Sequence, residues 1–330
     1  MTDEDRPVFL TGATGFIGGR LAGALHERGR RLRCLVRDPA RAAALERLGA
    51  ELIVGEITDA AALARGLEGA DVAFHLAATY DVGAVDARAM ERTNVEGTRA
   101  FLAAVKQAAT GRVVYVSTTG ALGPAGRREG DESSRWNGPF PTVYHRTKTR
   151  AHELALAAQA EGLPVIIVCP AYVYGPGDRG PAGRFLEDLL AGRLPGLVRD
   201  PAWFSFVHVD DVVAGLIAAA ERGRPGAAYV LSGEGASIID FAELAALHAN
   251  RRPPRWRIPR GLALLAGGAA DLVSRLTGKR YSLSREGVRS VTRARWLHSH
   301  ELATRELGWN PRPLSAMLRP TVMAVLREIS

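Results

Sequence analysis

Tyr144 and Lys148 stand four residues apart in the stretch "YHRTK", and on a helix that spacing puts both side chains on one face. An ammonium beside a phenol favours the phenolate. The pair is therefore expected to bring the phenol pKa down from its usual ~10 toward the range of a working general acid/base. The chain has only three lysines, Lys106, Lys148 and Lys279, and carries the rest of its basic charge on arginine. A lysine at 148 therefore points to what arginine cannot supply, a compact ammonium on a flexible stem that can donate to the two hydroxyls of a ribose.

A second chemical signal lies near the start. In "VFLTGATGFIGGRLAGAL" the glycines Gly12, Gly15 and Gly18 follow an apolar run and open a helical pattern. Glycines there let the backbone turn tightly and approach a pyrophosphate, which the N–H groups of the helix N-terminus then meet. Thr11, Thr14, Phe16 and Ile17 complete the loop around that site. In such a fold an acidic residue ending the second strand would bind the adenosine ribose of NAD. Here "CLVRDPAR" has Val36 at that place and Arg37 directly after it. A guanidinium there suits a 2′-phosphate, with Arg41 as a second donor, so NADP(H) is favoured over NAD(H). The competing use of Arg37 is a surface pair with Asp38.

The elements that must position these residues are legible as rhythm. "PVFL", "RLRCLV", "ELIV", "DVAFHL", "RVVYVS" and "PVIIVC" are short and rich in Val, Ile and Leu, and they alternate with longer helical stretches. They read as parallel strands buried on both faces, joined by right-handed helical crossovers. The expected fold class is α/β, a Rossmann-type doubly wound sheet over residues 1–175. A smaller mixed substrate lobe over 176–330 would return some segments to that sheet. In the second half "WFSFVHV" and "AAYVLSG" read as strands, and "DDVVAGLIAAAER" as a helix capped by Asp210 or Asp211.

Composition bounds the rest. At 330 residues, 47% hydrophobic and 24% charged, the chain can bury a large core. No apolar run nears the ~20 residues that span a bilayer, and no secretory leader pattern opens the chain, so the cytoplasm is the expected compartment. Cys34 and Cys169 fall in apolar runs and are read as reduced, buried residues, and no metal site is expected. The net charge of +8 invites a nucleic-acid partner, best supported by "RRPPRWRIPR" and "REGVRSVTRARW". Arginine replaces lysine throughout, so a solvated basic face is preferred and no nucleic acid is expected. "IPRGLALLAGGAADLVSRLTGKR" is apolar with arginine flanks. It is read as a packed helix of the second lobe, with a membrane-surface contact or a lid as the other uses.

Taken together, "TGATGFIG", "GEITD", "HLAA", "NVEGT", "VVYVSTTGALG", "YHRTK", "CPAYVYGPGD" and "FVHVDDV" resemble the extended short-chain dehydrogenase/reductases of the NAD-dependent epimerase/dehydratase superfamily, in the right order over most of the chain. The resemblance implies that Tyr144 exchanges a proton with substrate oxygen, Thr118 (or its neighbour Ser117) holds that oxygen, and Lys148 tunes Tyr144 and binds ribose. It also implies cofactor contacts from Glu56, Ile57, Leu76, Ala77, Ala78, Pro170 and Val173. Glu56 departs from the family's usual aspartate. Asn94 would fix backbone near the catalytic helix, and His75 is read as a packed strand residue.

Within the family two substrate classes compete. Nucleotide-sugar epimerases and dehydratases, which keep NAD tightly bound, usually carry an asparagine where this chain has Tyr172 and an arginine where it has Phe204. Losing both would leave a diphosphate poorly matched. The resemblance thus leans toward dihydroflavonol reductases and 3β-hydroxysteroid dehydrogenases, acting on an apolar ketone, aldehyde or alcohol as a homodimer, with Thr118, Tyr172 and Phe204 facing substrate. A non-catalytic dinucleotide sensor is the remaining reading, disfavoured by Tyr144 and Lys148.

Overall fold

A computed structural model describes residues 6–83, 86–277 and 283–329. Lys279 lies outside the described residues. The first half runs β1 (Val8–Thr11), α1 (Phe16–Glu27), β2 (Leu32–Val36), α2 (Ala43–Arg47), β3 (Glu51–Val54), α3 (Ala60–Leu67), β4 (Val72–His75), α4 (Ala87–Glu91), α5 (Gly97–Ala108), β5 (Val113–Val116), α6 (Thr119–Leu122), α7 (Val143–Ala160) and β6 (Val165–Pro170). The second half continues with β7 (Tyr172–Tyr174), α8 (Pro181–Leu190), β8 (Leu197–Val198), β9 (Trp203–His208), α9 (Val209–Arg222), β10 (Ala228–Leu231), β11 (Gly235–Ser237), α10 (Ile238–His248), β12 (Arg257–Ile258), α11 (Arg260–Thr277), α12 (Arg285–Ser290), β13 (Arg295–Trp296), α13 (Glu301–Leu307) and α14 (Leu314–Ile329).

The strand pattern follows from burial on both faces. Val8 and Leu10 of β1 enter one core with Val72, Phe74, Val114 and Val116. The intervening Phe9, Ala73, Val113 and Tyr115 enter the core on the other face. With both faces apolar, the sheet needs helices on both sides, and the parallel crossovers supply them. Its order is β3-β2-β1-β4-β5-β6-β10, and every neighbouring pair is parallel. The chain runs outward in one direction from β1 to β3 and in the other from β4 onward. A crevice therefore opens where the order reverses, at the carboxyl ends of β1 and β4.

The second lobe is organised around β9, which pairs with β7, β11 and β13. Its core joins Phe206, Phe241, Leu186, Leu318 and Val322. Phe206 and Phe241 stack with ring centroids 4.4 Å apart. The strand read from "AAYVLSG", β10, pairs with β6 and completes the main sheet.

One cap expectation needs correction, and three segments depart from the simple rhythm of strand and helix. Helix α9 is capped by His208, whose Nδ1 accepts from the Asp210 N–H at 3.2 Å, and not by Asp210 or Asp211. Those aspartates are held elsewhere: Asp210 pairs with Arg20 of α1 at 2.7 Å, and Asp211 with Arg312 at 2.7 Å. The "PARAAALERL" stretch breaks into a 3₁₀ turn at Pro39–Arg41 and the short α2, because Asp38 caps the turn through the Ala40 N–H. The helical stretch starting at Asp86 contains a π turn at Arg92–Glu96. Leu76, Ala77 and Ala78 follow β4 and are not part of it.

Candidate active site

The turn between β1 and α1 fills the crevice. Gly12 has φ 75°, and a Cβ there would sit 2.7 Å from both Ala77 N and the Leu76 carbonyl carbon, so only glycine lets the turn lie on the chain leaving β4. A Cβ on Gly18 would sit 2.2 Å from the Gly12 carbonyl oxygen. Gly15 caps α1 without a side-chain partner, and Thr14 and Gly15 are exposed above the crevice with Phe16 and Ile17 half-buried beside them. The Leu76 N–H donates to the Thr11 carbonyl at 3.2 Å, and the Ala77 N–H to Thr11 Oγ1 at 3.3 Å. The start of a twelve-residue helix that no side chain caps, opening from a turn of glycines, fits a pyrophosphate.

The adenosine end is more open. Arg37 is exposed, directly after β2. The alternative partner Asp38 accepts from Ala40, and no ion pair reaches Arg37 among the described residues. Glu56 is exposed, while Ile57 is buried against Gly97, where a Cβ would lie 2.7 Å from the Ile57 side chain. Pro170 ends β6 and Val173 lies in β7. His75 is wholly internal: Nδ1 bonds Thr11 Oγ1 at 2.7 Å, Nε2 bonds Thr98 Oγ1 at 3.2 Å, and the ring stacks on Phe101. Burial and the charge of Lys148 hold its pKa down at about 3, so it is neutral.

Next along the crevice, α7 brings Tyr144 and Lys148 to the end of β5. Thr142 caps α7 through the His145 N–H. Asn94 ties the helix to the loop after β4, accepting from the Thr79 N–H at 2.7 Å and donating to the Thr79 carbonyl and to Thr147 Oγ1. This is the backbone-fixing part expected of it. Thr118 leaves β5 in extended conformation and caps α6, with Oγ1 accepting from the Gly120 N–H at 3.1 Å. Its hydroxyl is also the one side-chain group that counters the burial of the Tyr144 phenol. The neighbouring Ser117 bonds His152 Nδ1 at 2.9 Å, so of the two hydroxyls Thr118 is the one whose influence reaches the tyrosine.

Lys148 is 4% exposed. Its Nζ donates to the Val116 carbonyl at 3.0 Å and lies 5.3 Å from the centre of the Tyr115 ring. Burial lowers its pKa from 10.5 to about 8. The expectation that Lys148 would pull the phenol down is not met. Burial pushes Tyr144 up to about 12, and the opposing influence is the Thr118 hydrogen bond. The ammonium, turned to the Val116 carbonyl, spends its charge there.

Aromatic rings flank the phenol on both sides. Tyr80 packs on Tyr144 at 4.4 Å between centroids. Tyr172 packs on Phe204 at 5.0 Å and on Phe206 at 4.9 Å. Phe204 and Phe206 share a face of β9 and meet edge to face, Phe206 in the core and Phe204 half-buried. On the other side His145 meets Tyr144, Trp136 and Trp296, and Trp136 meets Phe140. The sequence reading missed Tyr80, Trp136, His145 and Trp296. Only Tyr80 carried a local signal, an aromatic residue just past "HLAA". A separate cleft of about 1050 Å³ at the amino ends of the central strands, lined by Arg30, Asp71, Thr110 and Arg112, contains none of these residues.

Residues 8–232 match the profile of the NAD dependent epimerase/dehydratase family. The sterol demethylase protein B of Methylococcus capsulatus is 34% identical over 78% of this chain and 80% of its own length. A putative dihydroflavonol 4-reductase of Synechocystis is 30% identical over 91% of this chain and 89% of its own. The crystal structure of gox2253 superposes with a TM-score of 0.83 at 32% identity, covering 99% of both chains.

The burial of Lys148 makes a stability prediction. With a pKa near 8 in the folded protein against 10.5 outside it, the unfolded chain holds the proton more tightly between those values, so stability rises with pH across that window and is held down below it. Lys148→Met keeps the stem and removes the charge. It is expected to raise unfolding free energy at pH 7 by on the order of 1–3 kcal/mol. The advantage over wild type should shrink as pH rises toward 10.5. Thermal melts at pH 7 and above pH 10 check this; a pH-independent difference contradicts it.

Proposed function

The chain belongs to the NAD-dependent epimerase/dehydratase family, as an oxidoreductase that takes a pyridine nucleotide, and from that premise we propose that it exchanges a hydride, with NADP(H) preferred, with the carbonyl or hydroxyl carbon of an apolar small molecule. One observation carries the reading. The Tyr144 phenol stands one helical turn from a buried Lys148, the Thr118 hydroxyl counters its burial, and Tyr80 packs on its ring with Tyr172 close to Tyr80 in turn. The names of the relatives, a sterol enzyme and a flavonoid ketone reductase, support the same substrate class.

The bound nicotinamide supplies the hydride. The chain's own residues do the rest. The Tyr144 phenol gives its proton to the oxygen as the hydride reaches the carbonyl carbon, and Thr118 donates to that oxygen as its charge grows. Lys148, within reach of the Val116 carbonyl, turns its remaining donors to the ribose hydroxyls. Tyr80, Tyr172 and Phe204 hold an apolar ring system flat in the cleft, which fixes the angle of attack. The cradle of Gly12, Gly15 and Gly18 receives the pyrophosphate, and Arg37 the 2′-phosphate. A nucleoside-diphosphate sugar is disfavoured. Tyr172 and Phe204 offer no cationic partner for its diphosphate, and the nearby Arg184 is already paired with Asp81 at 2.9 Å.

Tyr144→Phe removes the proton donor and keeps the ring. It is expected to cut turnover roughly 10²–10⁴-fold while leaving NADPH affinity nearly unchanged, read by steady-state kinetics and by cofactor fluorescence titration. Turnover near wild type would contradict the assignment. Arg37→Ala is expected to weaken NADPH binding by roughly tenfold or more and NADH much less, since only the former carries the phosphate. Equal weakening of both would return NAD to first place.

A further inference from the structure

Helix α11 is built inside out for a surface helix. Its face toward the protein is made of small residues: Ala263, Gly267 and Ser274 are buried, and a Cβ on Gly267 would sit 2.7 Å from the backbone of Ser284. Its face toward solvent is apolar at the helical repeat. Leu262, Leu265, Leu272, Val273 and Leu276 are 59%, 69%, 59%, 40% and 78% exposed, and Ala269 fills the gap between them. The one acidic residue of the helix, Asp271, is turned to the Arg285 N–H. A contiguous exposed stripe of this kind marks an interaction surface.

What precedes the helix is basic. Arg251, Arg252 and Arg255 are exposed and carry no ion pair among the described residues, beside Trp256 at 77% exposure. Arg257 and Arg260 are engaged by Glu243 and Thr292. Leucines on one face, arginines and a tryptophan at its entry, and no helix among the described residues long and apolar enough to cross a membrane together describe an element that lies in the plane of an interface. We propose that the α11 face docks on the surface of an anionic lipid bilayer. A second copy fits less well, because two chains of net charge +8 repel and the outward face of the helix presents no acidic side chain to offset the other copy's arginines.

The position of the face gives it a use. Helix α12, which follows the described part of α11, places Ser284 against Gly83 in the loop beyond Tyr80. The Glu286 carboxylate of α12 accepts from the Val143 N–H at 3.3 Å, one residue before Tyr144. Docking through α11 would thus set the mouth of the aromatic cleft at the lipid boundary, where an apolar substrate is concentrated. This last part rests on the function proposed above; the docking does not.

The test uses the full-length protein and two vesicle preparations, phosphatidylcholine alone and phosphatidylcholine with about a third phosphatidylglycerol, in flotation assays. The protein is expected to float with the anionic vesicles, and the bound fraction to fall steeply between about 0.1 M and about 0.5 M salt. L265D/L272D is expected to lose at least about tenfold in vesicle affinity. The R251E/R252E/R255E variant, on a separate segment, should lose it too. Both variants should retain wild-type turnover of a water-soluble ketone. Wild-type protein that stays unbound, or L265D/L272D that binds like wild type, overturns the proposal. So does a dimer, seen by sedimentation velocity, that L265D/L272D abolishes without any vesicle binding. Vesicle binding without ketone turnover would count against the proposed reaction and leave the docking standing.

Discussion

An ammonium held almost out of reach of water is the constraint around which the site is arranged. Lys148 is tolerated inside because β5 ends where it does, leaving the Val116 carbonyl free to accept from Nζ, and because the Tyr115 ring lies beneath the charge. That same strand end releases Thr118 in the conformation that reaches Tyr144. Helix α7, which carries both Tyr144 and Lys148, is held in register by its Thr142 cap and by Asn94. A shift of α7 by even an ångström would leave a buried charge unpaired and the phenol unsupported. The cost of the first protects the geometry of the second.

The same logic governs the crevice. The β1–α1 turn lies against the chain leaving β4 only because Gly12 has no side chain, and the reversal of strand order puts that contact beside α7. The glycine turn and the Tyr144–Lys148 pair are consequences of one topology. The proposed substrate side is built differently, from aromatic residues carried by the loop after β4, by β7, by β9 and by the segment around Trp136.

The sheet was legible because a parallel strand buried on both faces is apolar at every position, as "VFL" and "VIIVC" are. The glycine turn and the Tyr144–Lys148 spacing were legible because each is a local rule. What escaped was set by distant contacts. Asp210 reads as a helix cap by type, but Arg20, 190 residues away in sequence, takes its carboxylate and His208 caps instead. Trp136 meets Trp296 only through the fold. The rise of the Tyr144 pKa comes from burial, which no i, i+4 rule contains. The apolar run of α11 was visible in the sequence, but only the three-dimensional arrangement turns its leucines outward.

Following the hydride itself decides whether these residues form a reductase. NADPH carrying deuterium at both C4 positions of the nicotinamide is mixed with the protein and an apolar ring ketone, and the products are read by mass spectrometry and NMR. The arrangement of Tyr144, Thr118 and the aromatic cleft calls for a single deuterium on the carbinol carbon, with one NADP⁺ released for each alcohol formed. A protein that leaves ketone and label untouched, while interconverting a uridine-diphosphate sugar on a nicotinamide that never exchanges with the solution, would contradict it.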